Sequence, residues 1–324
     1  MKPRLAAIAA LGLALAVYLV VTAGAGPVVS AAAAVGWQGF AILCLYATGL
    51  FILLGTAWYV IVPAPAHAPL RVLIWARMVR DAASEVLPFS HVGGLVLGAR
   101  AATSNGVSKP LVIASMIVDV TTETLAQVIY AAAGVAIFSR YTPSGAMPAS
   151  TTAMLAVCVG LTAAAGVLLL ALRRYGRQLI NKLAARFFPD ALAATASVAH
   201  TLEIIYRGRA RLGLGVSLHL AGWITSAVGV WIAFRLMSVR IDLLAVLAIE
   251  SLVYAARSAA ALVPNALGVQ EAAYAVLCPY FGVGAEVGLG VSLLKRARDI
   301  AVGVPIMLVW QSLEGHRLFR RRGS

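Results

Sequence analysis

Charge is scarce in this chain of 324 residues: 12% of them are Asp, Glu, Lys or Arg, where a soluble domain carries about 25%. None of those four residue types occurs between Leu5 and Leu70. Hydrophobic residues make up 61% of the chain, and mean hydropathy is +0.91. A soluble fold could not bury that much apolar chain. A bilayer solvates it, provided that backbone groups bond internally, and here that means helices.

Acidic residues are the scarcer sign, 12 against 26 Lys and Arg, for a net charge of +14. Such a balance can serve nucleic acid. In so apolar a chain the excess is instead the basic residue content of cytoplasmic loops, and no nucleic-acid partner is expected. Cys44, Cys158 and Cys278 all fall in apolar segments. Their spacing excludes both a disulfide framework and a Cys metal site. The five histidines, His67, His91, His200, His219 and His316, have no ligand spacing, so neither a metal nor a cofactor is expected. A nucleophile elbow, a P-loop, a His-Glu-x-x-His run and a Cys-x-x-Cys pair are all missing. No catalytic residue is therefore assigned, and active transport, if any, must use an ion gradient.

Long apolar runs are abundant. Leu5–Ala23 follows Met-Lys-Pro-Arg and imitates a signal peptide, but its length makes it an uncleaved first span. Trp37–Val62, Pro110–Phe138, Thr151–Leu172, Leu212–Phe234 and a run within Ala285–Leu313 supply five more. Two regions differ. Leu70–Leu87 is amphipathic and stops at Pro88, and His91-Val-Gly-Gly94 opens a short segment ending near Gly106. Leu243–Val263 is broken by Pro264-Asn-Ala-Leu-Gly-Val-Gln-Glu271. Short helices broken at Pro88, Gly93, Gly94, Pro264 and Gly268 read as re-entrant hairpins. Non-helical backbone at membrane depth is tolerated only inside protein or beside a water-filled cavity.

The expected architecture is an all-α polytopic integral membrane protein, one transmembrane domain over residues 1–324, with about six full spans and two broken-helix hairpins. A basic loop at 173–211 holds eight Lys and Arg, and the tail from His316 holds four Arg. Placing both inside makes the N- and C-termini cytoplasmic. The two broken regions match at an offset of 176: Pro88 with Pro264, Gly106 with Gly282, Asp119 with Lys295, Glu123 with Asp299. The units, about 70–138 and 246–313, start on opposite sides of the membrane. They form an inverted repeat, a recurrent transporter plan.

A charge at the centre of a span costs about 2.5–3.5 kcal/mol. The charges here must face one another or a hydrated cavity, and are functional candidates by default. Asp119 and Glu123 share a helix face, and the simplest network sets them against Lys295, Arg296 or Arg298 across the repeats. Arg80, Arg100 and Arg257 lie in or just before the hairpins, and Arg suits bidentate contact with a lipid phosphate. Arg100 and Arg257 are assigned to a cavity, whereas Arg80 is expected to snorkel to the interface. Glu271 joins these three as the candidate headgroup site. Asp119, Glu123, Glu250, Lys295, Arg296, Arg298 and Asp299 are the candidate ion network. The sequence leaves open whether that network couples transport or only holds the repeats together.

Leu87-Pro-Phe-Ser-His-Val-Gly-Gly94, Arg100, Gly106 and Ser115-Met-Ile-Val-Asp119 together resemble the first signature of the flippase-like membrane proteins. That family includes the transmembrane domain of lysylphosphatidylglycerol synthases. Pro264 to Glu271 and Lys295-Arg-Ala-Arg-Asp299 resemble its second signature. Arg80-Asp-Ala-Ala-Ser-Glu-Val-Leu-Pro-Phe-Ser looks most like the hopanoid-biosynthesis-associated branch. Leu95 stands where many relatives carry an acid, so no charge is carried over there.

The resemblance implies a multi-pass protein of the bacterial cytoplasmic (inner) membrane that moves or binds a phospholipid or hopanoid by its headgroup. The soluble aminoacyl-transfer domain of the synthases has no counterpart in this sequence, so lysyl-lipid synthesis is not expected. A second reading is a non-transporting scaffold whose partners are lipid-biosynthesis enzymes. A third is an intramembrane lipid-modifying transferase using Asp119 or Glu271.

Overall fold

The computed structural model describes residues 3–63, 68–87, 90–141, 192–260 and 263–322, with scattered single positions between 156 and 167. Among these the secondary structure is all helical, with eleven α-helices. The expected span Thr151–Leu172, the first part of the basic loop and Pro88 lie outside the described residues.

Helix α1 (Pro3–Thr22) breaks at Gly24, whose φ of +89° favours glycine, and α2 (Ala25–Ala33) leaves at 95°. The expected first span is therefore one limb of a bent pair. Helix α3 (Gly36–Ile61) is long and apolar enough to cross a bilayer, as are α6 (Lys109–Tyr141) and α8 (Arg209–Leu236). The described residues thus hold three spans by length and composition, or four with the bent pair. The expected last span lies within α11 (Ala285–Arg322). Four charges, from Lys295 to Asp299, sit in its middle and keep it from qualifying.

The first hairpin is α4 (Leu70–Val86) and α5 (Ser90–Thr103); the second is α9 (Leu243–Ala259) and α10 (Val269–Leu277). At about 1.5 Å per residue these helices are shorter than the roughly 30 Å hydrocarbon core. Gly93 and Gly94 are not a turn, as the sequence suggested, but lie inside α5. A Cβ on Gly94 would collide with the Ser84 side chain and the Arg80 carbonyl. One on Gly98 would stand 2.8 Å from Arg80 Cβ and 3.1 Å from the Ala76 carbonyl. Two glycines four apart let α5 lie antiparallel on α4 at the height of Arg80. The second break does turn. Pro264–Ala266 is a 3-10 turn, with φ of 52° at Asn265 and 45° at Ala266, and Gly268 follows at +79°.

The matched Gly-Val pairs share one geometry. Gly106 and Gly282 have φ of +92° and +73°. Val107 donates to the Ala102 carbonyl at 3.3 Å, and Val283 to the Cys278 carbonyl at 3.2 Å. The correspondence also extends outside the units read from sequence: α3 shifted by 176 covers 212–237, almost the range of α8. These two helices pack antiparallel along glycines. Cβ atoms on Gly215 and Gly222 would each stand 2.7 Å from Ile61 and Leu54 respectively, one on Gly229 2.9 Å from Tyr46, and one on Gly39 3.2 Å from Leu236. Gly39 and Gly215 are themselves 176 apart, so exchanging the halves maps these contacts onto one another to within one residue.

Two apolar cores result. One gathers Trp58, Leu73, Ala101 and Val112 with Ile205 from α7 (Leu192–Arg207); the other gathers Phe234, Ile249, Leu277 and Val291. Each also receives the far end of the other half's long helix: Ala131 enters the second core, and Met307, 176 residues later, enters the first.

Gly222→Leu should destabilise the protein by about 1–3 kcal/mol through overpacking against Leu54, read as a lowered melting temperature in detergent. Gly213, on the same helix, meets nothing within 4 Å, and Gly213→Ala should leave the stability unchanged or raise it by up to about 1 kcal/mol. Equal effects would mean that the glycine face does not set the α3–α8 approach.

Candidate functional site

A cavity of about 460 Å³ lies among α3, α4, α6, α8, α9 and α11 and opens to the outside. One wall, from α3, is apolar and includes Ala47, Leu50, Phe51 and Leu54. The facing walls hold four guanidinium groups, on Arg77, Arg80, Arg257 and Arg298, and four carboxylates, on Asp81, Glu85, Glu123 and Asp299. Trp223 and Tyr254 add aromatic surface.

The charges are paired in separate groups. Arg77 and Arg80 point inward from α4 and are 2% and 5% exposed. Arg80 does not snorkel: the interior of the bundle, with two acids on α6, is where its charge is matched. Arg80 Nη1 reaches Asp119 Oδ2 at 2.7 Å, and its Nη2 reaches Glu123 Oε2 at 2.7 Å. Arg77 meets the same two acids at 3.2 Å and at 2.6–3.1 Å, and holds Asp81 one turn along at 2.6 Å. The second Asp119 oxygen lies 3.0 Å from His219 Nε2 on α8, and His219 Nδ1 has no partner among the described residues.

Asp119 and Glu123 therefore take their guanidinium partners from their own half, with His219 the one contact of Asp119 across to α8, and do not reach Lys295, Arg296 or Arg298. Those three have partners nearer by. Lys295 Nζ donates to Glu250 Oε2 at 2.7 Å and to the Tyr274 hydroxyl at 2.9 Å, and that hydroxyl donates to Glu250. Arg296 holds Glu271 Oε1 at 2.6 Å. Arg298 holds the adjacent Asp299 at 2.7 Å.

Glu271 is a capping residue as well. Its Oε2 accepts the Gly268 N–H at 2.8 Å, closing the start of α10, and Ser292 donates to its other oxygen at 3.1 Å. It is 1% exposed and does not line the cavity. Arg100 also stands away from the cavity. Its side chain is 50% exposed and pairs with Glu314 at 2.6 Å. One turn before the end of α5, it faces outward while Gly98 and Gly94 face α4. Of the four candidate headgroup residues, the cavity holds Arg80 and Arg257.

Arg257 crosses between the halves. Its Nη2 donates to Glu85 Oε1 at 2.9 Å and to Oε2 at 3.2 Å, while Nη1 donates to Gln270 Oε1 at 2.9 Å. Asn265 Nδ2 donates to the Glu85 backbone carbonyl at 2.8 Å. The turn of the second hairpin is thus fastened to the end of α4.

Sequence reasoning did not single out Arg77, His219, Asn265 or Tyr274. Arg77 carried a usable signal, since it shares a helix face with Arg80 and Asp81. His219 carried one as well, an ionisable side chain inside the apolar run Leu212–Phe234, although the position 176 residues earlier is Leu43.

Among the described residues no group of His, Cys, Asp and Glu is arranged to hold a metal ion. A family model described as the lysylphosphatidylglycerol synthase TM region matches residues 7–306. No curated protein and no solved structure matches the chain.

Lys295→Met leaves the Glu250 carboxylate buried without its cation, and breaking such a pair costs about 3–5 kcal/mol. Adding Glu250→Gln should restore a large part of that stability. Melting temperatures of the two single variants and the double variant give the coupling. A double variant no better than the sum of the singles would show that the pair is not an energetic unit.

Proposed function

The chain belongs to the lysylphosphatidylglycerol synthase TM region family, which makes it a membrane protein of lipid metabolism, and on that premise we propose that it binds and translocates a lipid by its headgroup. The observation that carries this reading is the cavity, apolar on its α3 wall and charged on the others, spanned by the Arg257–Glu85 pair. A lipid headgroup needs a polar lining, and its first methylenes need an apolar one. At about 460 Å³ the cavity is within the usual range for a small-molecule pocket, about 300–1,000 Å³. That takes a headgroup, and the acyl chains stay in the bilayer.

In this reading α3 to α6 and α8 to α11 are inverted repeats, and α4–α5 and α9–α10 are the re-entrant hairpins. Movement is a rocking of one half against the other around the site. Supporting it are the matched Gly-Val caps and the exchangeable α3–α8 contacts. Arg257 binds the phosphate, and Arg77 and Arg80 keep the wall in shape. The protein sits in a bacterial inner membrane with both termini cytoplasmic. The substrate is a phospholipid or, following the hopanoid-associated signature around Arg80, a polar hopanoid.

The test is mass spectrometry of lipids retained by the purified protein. Arg257→Ala should lower the retained lipid about tenfold or more, the value of a charge-assisted contact to phosphate. Arg100→Ala, which removes an equal charge outside the cavity, should leave it unchanged. A loss common to both variants would point to surface electrostatics, and no loss in either would remove the cavity from the function.

A further inference from the structure

Resting on that reading, the structure also narrows the headgroup. The charged groups that line the cavity are four guanidinium groups and four carboxylates, and the buried Asp119 behind Arg77 and Arg80 adds a fifth carboxylate, so the wall holds no cation in excess. A phosphate alone would bring an uncompensated charge into a low-dielectric space, which is costly unless it is paired. A zwitterion brings none.

Among the charged groups lining the cavity, Arg257 and Glu85 can separate without losing their places. Arg77 and Arg80 share Glu123 between them, and Arg298 and Asp299 are chain neighbours. Arg257 and Glu85 each have a second anchor. Gln270 holds Arg257 at 2.9 Å, and Asn265 holds the Glu85 backbone at 2.8 Å. Their side chains are 12% and 30% exposed, so a ligand can reach both.

Two further groups lack partners among the described residues. Asn265 Oδ1 is a buried acceptor and Trp223 Nε1 a buried donor, and both residues line the cavity. The Asn265 amide is held by its Nδ2 bond to the Glu85 backbone carbonyl, so its free acceptor belongs to a side chain fastened to the residue that carries the carboxylate. The Trp223 ring lies 4.6 Å from the Tyr254 ring, and Arg257 lies 5.5 Å from that same Tyr254 ring. A buried polar group without a partner is uncommon and calls for a ligand or water.

We infer that the headgroup is a compact zwitterion, a phosphate and a primary ammonium two carbons apart, that inserts into the Arg257–Glu85 pair. The phosphate takes Arg257 and the Trp223 N–H. The ammonium donates to the Glu85 carboxylate and to Asn265 Oδ1. Insertion separates two groups that tie the halves together, so binding itself loosens the cross-half contact.

The experiment offers the full-length protein, in mixed micelles, equal amounts of phosphoethanolamine and phosphoglycerol lipids with identical acyl chains, and measures retained lipid by mass spectrometry. Wild type should prefer phosphoethanolamine by about tenfold. Trimethylating the headgroup nitrogen, which removes its N–H donors but keeps its charge, should reduce the preference. Glu85→Gln should reduce it too while lipid is still retained. Should that variant fail to fold, the methylated lipid on wild type decides alone. Equal retention of both lipids, or a preference untouched by trimethylation or by Glu85→Gln, overturns the inference, while an effect of Arg257→Ala leaves the broader lipid-binding reading standing. Retention of neither lipid by wild type overturns both.

Discussion

A charge held in an apolar bundle must be matched, and the pairing of Arg77 and Arg80 with Asp119 and Glu123 is where this constraint shapes the structure most. Left unpaired, any of these groups would cost several kcal/mol, about 3–5 by the behaviour of broken buried pairs. The match fixes α4 against α6, and His219 extends it to α8. The other half uses the same device with the signs exchanged. Lys295, 176 residues after Asp119, reaches from α11 to Glu250 on α9. In each half a charge in the middle of the long last helix fastens the short helix that opens its hairpin.

The two sides of the cavity are not alike. Between α6 and α8, Trp223 stacks on Tyr130 and His219 bonds Asp119. The positions 176 earlier than Trp223 and His219 are Ala47 and Leu43, and the position 176 after Gln127 is Gly303. Ala47 and Gly303 on the α3–α11 side are thus smaller than Trp223 and Gln127 opposite them, and all four line the open space. Glu123 and Asp299, also 176 apart, line it as well, so the cavity lies where the two halves meet.

Helix positions and the membrane class were legible because they rest on hydropathy, and the Gly-Val caps because a positive φ selects glycine. Partners were not. Asp119 seemed to need a cation from the opposite repeat, since sequence position alone cannot say which face of α4 turns inward. Gly94 and Gly98 decide it. They bring α5 close behind Arg80 and leave the α6 side for the guanidinium. Arg100 looked like a cavity residue for the same reason, being in the right hairpin but on its wrong face. Glu271 was noticed as a buried charge, yet its acceptance of the Gly268 N–H needs the turn geometry that sequence spacing only suggested.

The α3–α8 seam has a property that the ion pairs lack. Gly39 against Leu236 and Gly215 against Ile61 become one another, to within one residue, when the halves are exchanged. Such a seam needs only one sequence to make it. A chain of half this length, inserting in both orientations, would build it from two identical copies lying head to tail. Asp119 and Lys295 could not have arisen in such a pair of copies, because identical chains carry the same charge at equivalent positions. On a single polypeptide the two positions are free to differ, and here Asp119 and Lys295 carry opposite charges.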